Sequence, residues 1–193
     1  GQLYRELRGG QRHCRKRYGR PDSRGRLPGK RPITARPGIV ERRARIGDWE
    51  GDTMVGPAGT RPCLLSLVER KTGFLVLGKL AARTAAEVNR CAAPLLQQQP
   101  HPVRTLTVDN GTEFHGYATL EAGTRTRVYF ATPHHAWERG TNENTNGLIR
   151  QYVPKGQSMA ALSHHACRPL ATPLTHRPRK RLGFRTPEEC YVP

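Results

Sequence analysis

The order of apolar and polar positions changes character along the chain, and each change marks an element. Residues 1–47 show little amphipathic period: Arg and Lys alternate with turn punctuation at Gly9-Gly10, Pro28-Gly29 and Pro37-Gly38, which predicts an extended basic arm with at most short helices. From Ile46 the texture becomes that of strands, with 47–55, 63–69 and 74–80 separated by short Gly- and Pro-containing turns. Antiparallel pairing is the economical arrangement for strands joined so closely. Residues 84–98 place Ala85, Val88, Ala92 and Leu95 or Leu96 at helical spacing, with Pro94 distorting the last turn. A fourth strand is predicted at 104–109, a short helix at 113–122, a fifth strand at 126–131 and a helix at 141–152 that stops at Pro154. Residues 158–176 have the length of a helix, but Pro169 and Pro173 are expected to break it. The order predicts an α/β fold with a mixed five-stranded sheet covered by helices.

Composition divides the chain in the same places. The 193 residues carry a formal charge of +18 and 35% hydrophobic content, enough for one domain with arms that do not all pack. Net charge is +12 over residues 1–47, zero over 48–143 and +6 over 144–193. A neutral block between basic ends suits a core whose arms grip the phosphates of a nucleic acid; the plainer alternative is nonspecific coating of RNA. These shifts set boundaries at 1–45 for a basic arm or linker, 46–156 for the core and 157–193 for a basic C-terminal segment. Five widely spaced cysteines without a CxxC pair argue against a disulfide framework and for a reducing compartment. No apolar run approaches the roughly 20 residues that span a bilayer, so no membrane partner is expected and the protein should be soluble and cytoplasmic.

The candidate chemistry lies in acids framed by Gly, Asn and Trp. Along the first strand Asp48, Glu50 and Asp52 share one face, opposite Trp49 and Gly51, and alternation alone leaves all three open as metal ligands. Asp109 ends the fourth strand, whose Leu106 and Val108 face the other way, and Asn110-Gly111 turns the chain after it. On the last helix Glu143, Asn146 and Arg150 fall within about a sixth of a turn of one another, while Leu148, Ile149 and Tyr152 cluster opposite and are expected to pack on the sheet. Carboxylates gathered at one point of a basic chain call for divalent cations, which can bridge them to a phosphate.

Other signals carry less. His134-His135 and His164-His165-Ala166-Cys167 lack the spacing of a zinc site, and His134 suits a loop or a DNA contact better. Cys63, beside Leu64-Leu65, reads as core. Trp137 is expected to anchor its loop by packing rather than to stack on a base.

Three runs carry a resemblance. Gly47-Asp48-Trp49-Glu50-Gly51-Asp52-Thr53, Thr107-Val108-Asp109-Asn110-Gly111-Thr112-Glu113-Phe114, and the long run from Trp137-Glu138-Arg139-Gly140 through Glu143 to Arg150-Gln151-Tyr152 resemble the insertion-sequence-thirty family of bacterial transposases. Arg177-Pro178-Arg179-Lys180-Arg181 and Thr186-Pro187-Glu188-Glu189 are similar to that family's C-terminal end. The first two runs, taken alone, also resemble retroviral integrases. The resemblance implies a ribonuclease H-like fold with an Asp-Asp-Glu triad. It matches Asp52 to the first acid, Asp109 to the second and Glu143 to the third, with 33 residues between the last two. Asp48 and Glu50 then become neighbours whose charge raises the proton affinity of the site.

The implied activity is phosphodiester hydrolysis and strand transfer at insertion-sequence ends, with two Mg²⁺ (or Mn²⁺) ions held by Asp52, Asp109 and Glu143. The implied partners are DNA, as transposon ends and target, and further copies of the chain in a homo-oligomer. Arg139, Asn146, Arg150 and Lys155, with Arg179, Lys180 and Arg181, are the candidate DNA contacts. The family's N-terminal helix-turn-helix domain has no counterpart in this sequence. That leaves a catalytically idle DNA-binding fragment of a decayed transposase as the alternative, and a cellular ribonuclease of the same fold as a third reading.

Overall fold

The structure, a computed structural model, describes residues 27, 29–133 and 135–192. Most of the expected basic arm, together with His134, lies outside them. Five strands form: β1 (Asp48–Val55), β2 (Cys63–Glu69), β3 (Leu75–Leu80), β4 (Thr105–Val108) and β5 (Arg127–Phe130). Their order across the sheet is β3-β2-β1-β4-β5. The pairs β1–β2 and β2–β3 are antiparallel, while β1–β4 and β4–β5 are parallel, as crossovers through helices require. The helices are α1 (Gly38–Glu41), α2 (Ala85–Gln97), α3 (Tyr117–Thr124), α4 (Gly140–Ile149), α5 (His164–Thr175) and α6 (Pro187–Tyr191). The expected mixed five-stranded α/β sheet is therefore present.

Alternation along the strands builds two cores. Trp49, Leu65, Leu67, Leu106, Val108, Val128 and Phe130 face one way and pack with Val88, Ala92 and Leu96 of α2, Leu120 of α3 and Tyr191 of α6. On the other face, Met54, Leu64, Val68, Leu75 and Leu77 pack with Ile149 of α4 and with Cys167, Ala171 and Leu174 of α5. Because β2 is covered on both sides, all seven of its residues are buried, and its run of apolar side chains reflects that. Gly78 on β3 lets α2 approach closely, since a Cβ there would sit 2.2 Å from Cys91 Sγ. Tyr191 ties the C-terminal helix to the first core, stacked on Phe74 at 4.4 Å and edge-on to Trp49 at 5.7 Å.

Two expectations change. The single helix expected at 113–122 is a 3-10 turn, Thr112–Phe114, followed by α3, with Gly116 at the break accepting a bond from Asn89 Nδ2. Residues 30–45 combine short helices with non-helical backbone and dock on the sheet: Arg31 accepts from Phe130 N–H at 2.9 Å, α1 buries Val40, and Arg36 Nη1 donates to Thr107 Oγ1 at 2.9 Å.

Most clearly, α5 runs through both Pro169 and Pro173. Four residues apart, both prolines fall on the exposed side, so the carbonyls of His165 and Pro169 that lose a helical partner can be hydrated. Cys167, Ala171 and Leu174 bury the opposite side, and Ser163 caps the N-terminus by accepting from Ala166 N–H. Packing thus outweighs a penalty of about 3 kcal/mol per interior proline. No helix among the described residues is long and apolar enough to cross a membrane.

Pro169→Ala restores a helical N–H at an exposed site and should raise stability by about 1 to 2 kcal/mol, after allowing for the greater freedom of the unfolded chain. Urea denaturation followed by far-UV circular dichroism measures this; a lower midpoint would mean that the proline ring is not tolerated merely as a cost.

Candidate active site

The register of β1 against β4 sets the site. Asp48 pairs with Thr105 and Glu50 with Thr107, so the same offset carried two residues further brings Asp52 level with Asp109. Both acids belong to the face that α4 and α5 cover. Asp109 Oδ1 accepts from Gly111 N–H at 2.9 Å, a local turn that sets the carboxylate just beyond the strand end. A Cβ at Gly111 would meet the Glu113 carboxylate at 2.4 Å, which accounts for the glycine in this run.

Helix α4 is held to the sheet by polar groups as well as by part of the apolar face expected of it. Glu50 is fully buried; its carboxylate pairs with the buried Arg70 and accepts from Asn142 N–H, in the first turn of α4, at 2.8 Å. Ser66 of β2 donates to Asn146 Oδ1 at 2.8 Å, and Asn146 Nδ2 donates to Asp52 Oδ2 at 2.9 Å. At the far end Arg150 Nη2 donates to Val55 O at 2.9 Å. Of the expected apolar trio Ile149 is buried and Leu148 packs against the same core, whereas Tyr152 is exposed. Complementarity explains the exchange: the strand face beneath the helix presents Glu50, Asp52 and Ser66, and such groups cost several kcal/mol if buried without partners.

Between the two aspartates lies Arg139. Its Nη2 is 3.0 Å from Asp52 Oδ2 and its Nη1 3.7 Å from Asp109 Oδ2, while Nη2 also donates to Gly51 O at 3.3 Å. Burial raises the Asp52 carboxyl above the usual range, Arg139 pulls it down and Asp109 pushes it up further. Asp48 and Glu50 do not have the effect expected of them, because each has its own partners. Asp48 is bound by Arg45 Nε at 2.8 Å and Thr105 Oγ1 at 2.8 Å, and Glu50 by Arg70.

Glu143 stands apart. It is exposed on α4, one turn before Asn146, and makes no hydrogen bond or ion pair with another described residue. Among the described residues no three His, Cys, Asp or Glu side chains converge as a metal-binding group. The structure therefore joins Asp52, Asp109, Asn146 and Arg139, and leaves Glu143 outside.

The chain is similar to known proteins in sequence and in fold. Over 191 residues the chain is 39% identical to the transposase for insertion sequence element IS4351 of Bacteroides fragilis, covering 99% of this chain and 58% of that protein. It is 42% identical over 167 residues to the transposase for IS1086 of Cupriavidus metallidurans, and 37% identical over 186 residues to transposase InsI for IS30A of Escherichia coli. These alignments cover 86% and 95% of this chain and 49% and 47% of the relatives. In sequence the chain is thus similar to transposases of the IS30 type. It spans about half the length of the curated relatives it matches. No protein-family model matches it. In fold it is similar to the catalytic core domain of BIV integrase, with TM-score 0.58 and 21% identity over 76% of this chain and 93% of that one. A chain of a simian T-cell lymphotropic virus intasome matches with TM-score 0.61 and 16% identity, over 75% and 54% of the two chains. These structures show the ribonuclease H-like fold expected from the motifs.

The other residues named from sequence lie in two places. Arg150 is held on β1, whereas Lys155 is exposed beyond α4. Arg179, Lys180 and Arg181 gather beyond α5, where Arg179 Nη2 donates to Leu174 O at 3.1 Å and Arg181 Nη1 to Lys71 O. Burial, with Arg177 nearby, lowers the Arg179 pKa; burial and the charges of Arg43 and Arg179 lower that of Arg181. Cys63 is core as expected, its thiol pushed up to about 11 by burial. Trp137 is not packed: it is 71% exposed and stacks on His135 at 4.3 Å, two residues before Arg139.

Sequence reading missed Arg70 and Ser66, which hold α4, and Glu113, a buried acid that accepts from Thr53 Oγ1 and Arg83 Nε, each at 2.6 Å. Only Glu113 left a signal, through its place in the second motif.

The two aspartates are oxygen donors that share one positive group, a set suited to a hard divalent cation. Because Asp52 has a raised carboxyl pKa when folded, its ionised form costs stability at neutral pH, and that cost disappears as pH falls through its folded value. Asp52→Asn should therefore melt higher than the wild type at pH 7 in EDTA, with the gap closing under acid. Differential scanning fluorimetry across pH tests this, and a lower melting temperature for the variant at neutral pH would contradict it.

Proposed function

We propose that this chain carries the catalytic core of a divalent-metal-dependent DNA transposase that cleaves and rejoins phosphodiesters at insertion-sequence ends. The observation that carries the reading is the convergence of Asp52 and Asp109, from neighbouring parallel strands, on one cationic group in an integrase-like fold. In this reading Asp52 and Asp109 hold Mg²⁺ (or Mn²⁺), and Glu143, the third acid of the matched motif, completes a site for two ions. The bound metal supplies activation of a water or 3′-hydroxyl and stabilisation of the leaving oxygen.

The remaining chemistry is positioning by the protein. Asn146 holds one oxygen of Asp52, and Thr53 N–H holds the other at 2.9 Å, so the carboxylate presents a fixed edge. Glu50, Arg70 and Ser66 fix α4, and through it the position from which Glu143 reaches the site. Arg139, Arg150 and Lys155 lie along the approach of a phosphate backbone, with Arg179, Lys180 and Arg181 as a second basic contact. Joining two transposon ends in one reaction calls for more than one copy, so the working form is a homo-oligomer on DNA in the bacterial cytoplasm.

Asp109→Asn and Glu143→Gln should each fold normally by circular dichroism and lose Mg²⁺-dependent nicking of an end-mimicking duplex by about a thousandfold or more. Wild-type nicking by either variant removes that residue from the triad. The chain has two tryptophans, of which Trp49 is buried, so quenchable emission reports on Trp137. Single-stranded DNA should quench that emission by stacking on the exposed ring; emission unaffected by saturating DNA would place Trp137 off the DNA path.

A further inference from the structure

Two carboxylates on adjacent strands repel each other, and this chain supplies the counter-charge itself. The Arg139 guanidinium reaches Asp52 with one terminal nitrogen and Asp109 with the other, and its side chain is only 13% exposed. The clasp is imperfect, because Arg139 Nε is buried without an acceptor among the described residues, which makes release cheaper than for a fully bonded guanidinium. Arg139 also lies four residues before Glu143, so the two side chains lie one turn apart along the entry to α4. A guanidinium between two aspartates leaves one negative charge in excess. One divalent ion with those aspartates and Glu143 leaves the same excess, so the exchange of Arg139 for a metal ion and Glu143 is neutral in formal charge.

We propose that Arg139 is a tethered counter-ion that holds Asp52 and Asp109 together in the metal-free protein and must be displaced for metal to bind. It is a positioning residue, and it sets the metal affinity by competing for the same oxygens. The proposal rests on the reading of Asp52 and Asp109 as metal ligands. Partial burial of the Arg139–Asp52 contact, whose side chains are 13% and 25% exposed, makes the competition matter, since a solvent-exposed pair would be screened and easily exchanged.

The test is direct Mn²⁺ binding to the full chain without DNA, followed by electron paramagnetic resonance of the free ion, for wild type, Arg139→Gln, Arg139→Lys and Asp52→Asn. Arg139→Gln should bind Mn²⁺ about fivefold or more tightly than wild type. It should also melt lower than wild type in EDTA and gain more in melting temperature on adding Mn²⁺. Arg139→Lys, which keeps the charge but cannot fork between two carboxylates, should fall between the two and serves if the Gln variant does not fold. Unchanged or weaker binding by these variants, with Asp52→Asn still weakening binding, overturns the counter-ion while leaving the metal reading in place. Binding unaffected by Asp52→Asn overturns the metal reading and the counter-ion together.

Discussion

Glu50 has no access to water, and its carboxylate joins three parts of the molecule. It sits on the central strand, takes the guanidinium of Arg70 from the end of β2, and accepts the Asn142 N–H at the start of α4. Losing Arg70 would leave a charge uncompensated in the interior, which costs about 3 to 5 kcal/mol, and losing the Asn142 N–H would leave a buried oxygen unbonded. The helix that bears Glu143 and Asn146 is thereby fixed at one end to the strand that bears Asp52. Arg150 on Val55 O fixes the other end. The geometry of the candidate site follows from these two attachments more than from apolar contact.

This use of polar groups changes the meaning of the charge count. A formal +18 suggests a surface made for phosphates. Yet Arg45, Arg70, Arg83 and Arg139 are committed to Asp48, Glu50, Glu113 and the aspartate pair, and Arg36 lies between Thr107 and Glu41. Much of the chain's basic charge is thus taken up by internal pairing: the buried Asp48, Glu50 and Glu113 are each answered by an arginine, while the buried Glu69 is held by Thr72 instead. What remains for an anionic partner is concentrated toward the two ends of the chain, where Arg179 and Arg181 are crowded by like charges.

The similarity to transposases and the integrase-like fold agree with the sequence motifs, and the strands lie within a residue or two of their expected limits. The departures have a common cause. Pro169 and Pro173 were read as breakers because a helix interior normally needs their N–H groups, but on the solvent side of a well-packed helix the lost bonds fall to water. Trp137 was read as core because aromatic area usually is, whereas its loop leaves it stacked on His135 in solvent. In both cases the deciding quantity was which side of the element faces the protein.

From residues alone it was determined that acids stand at the end of one strand, along another and on one helix face, that Asp48, Glu50 and Asp52 share a side, and that the resemblance favours Asp52. The placements are consequences of periods of two and 3.6, which are local, whereas the choice of Asp52 is what the resemblance implies. Which acid meets which partner was decided only by tertiary structure. The β1–β4 register levels Asp52 with Asp109, Arg70 claims Glu50, and Arg139 enters between the aspartates. The physical reason is that alternation names a face but not a neighbour. Pairing between groups 20 to 92 positions apart along the chain depends on register and burial, and neither is written in any local window.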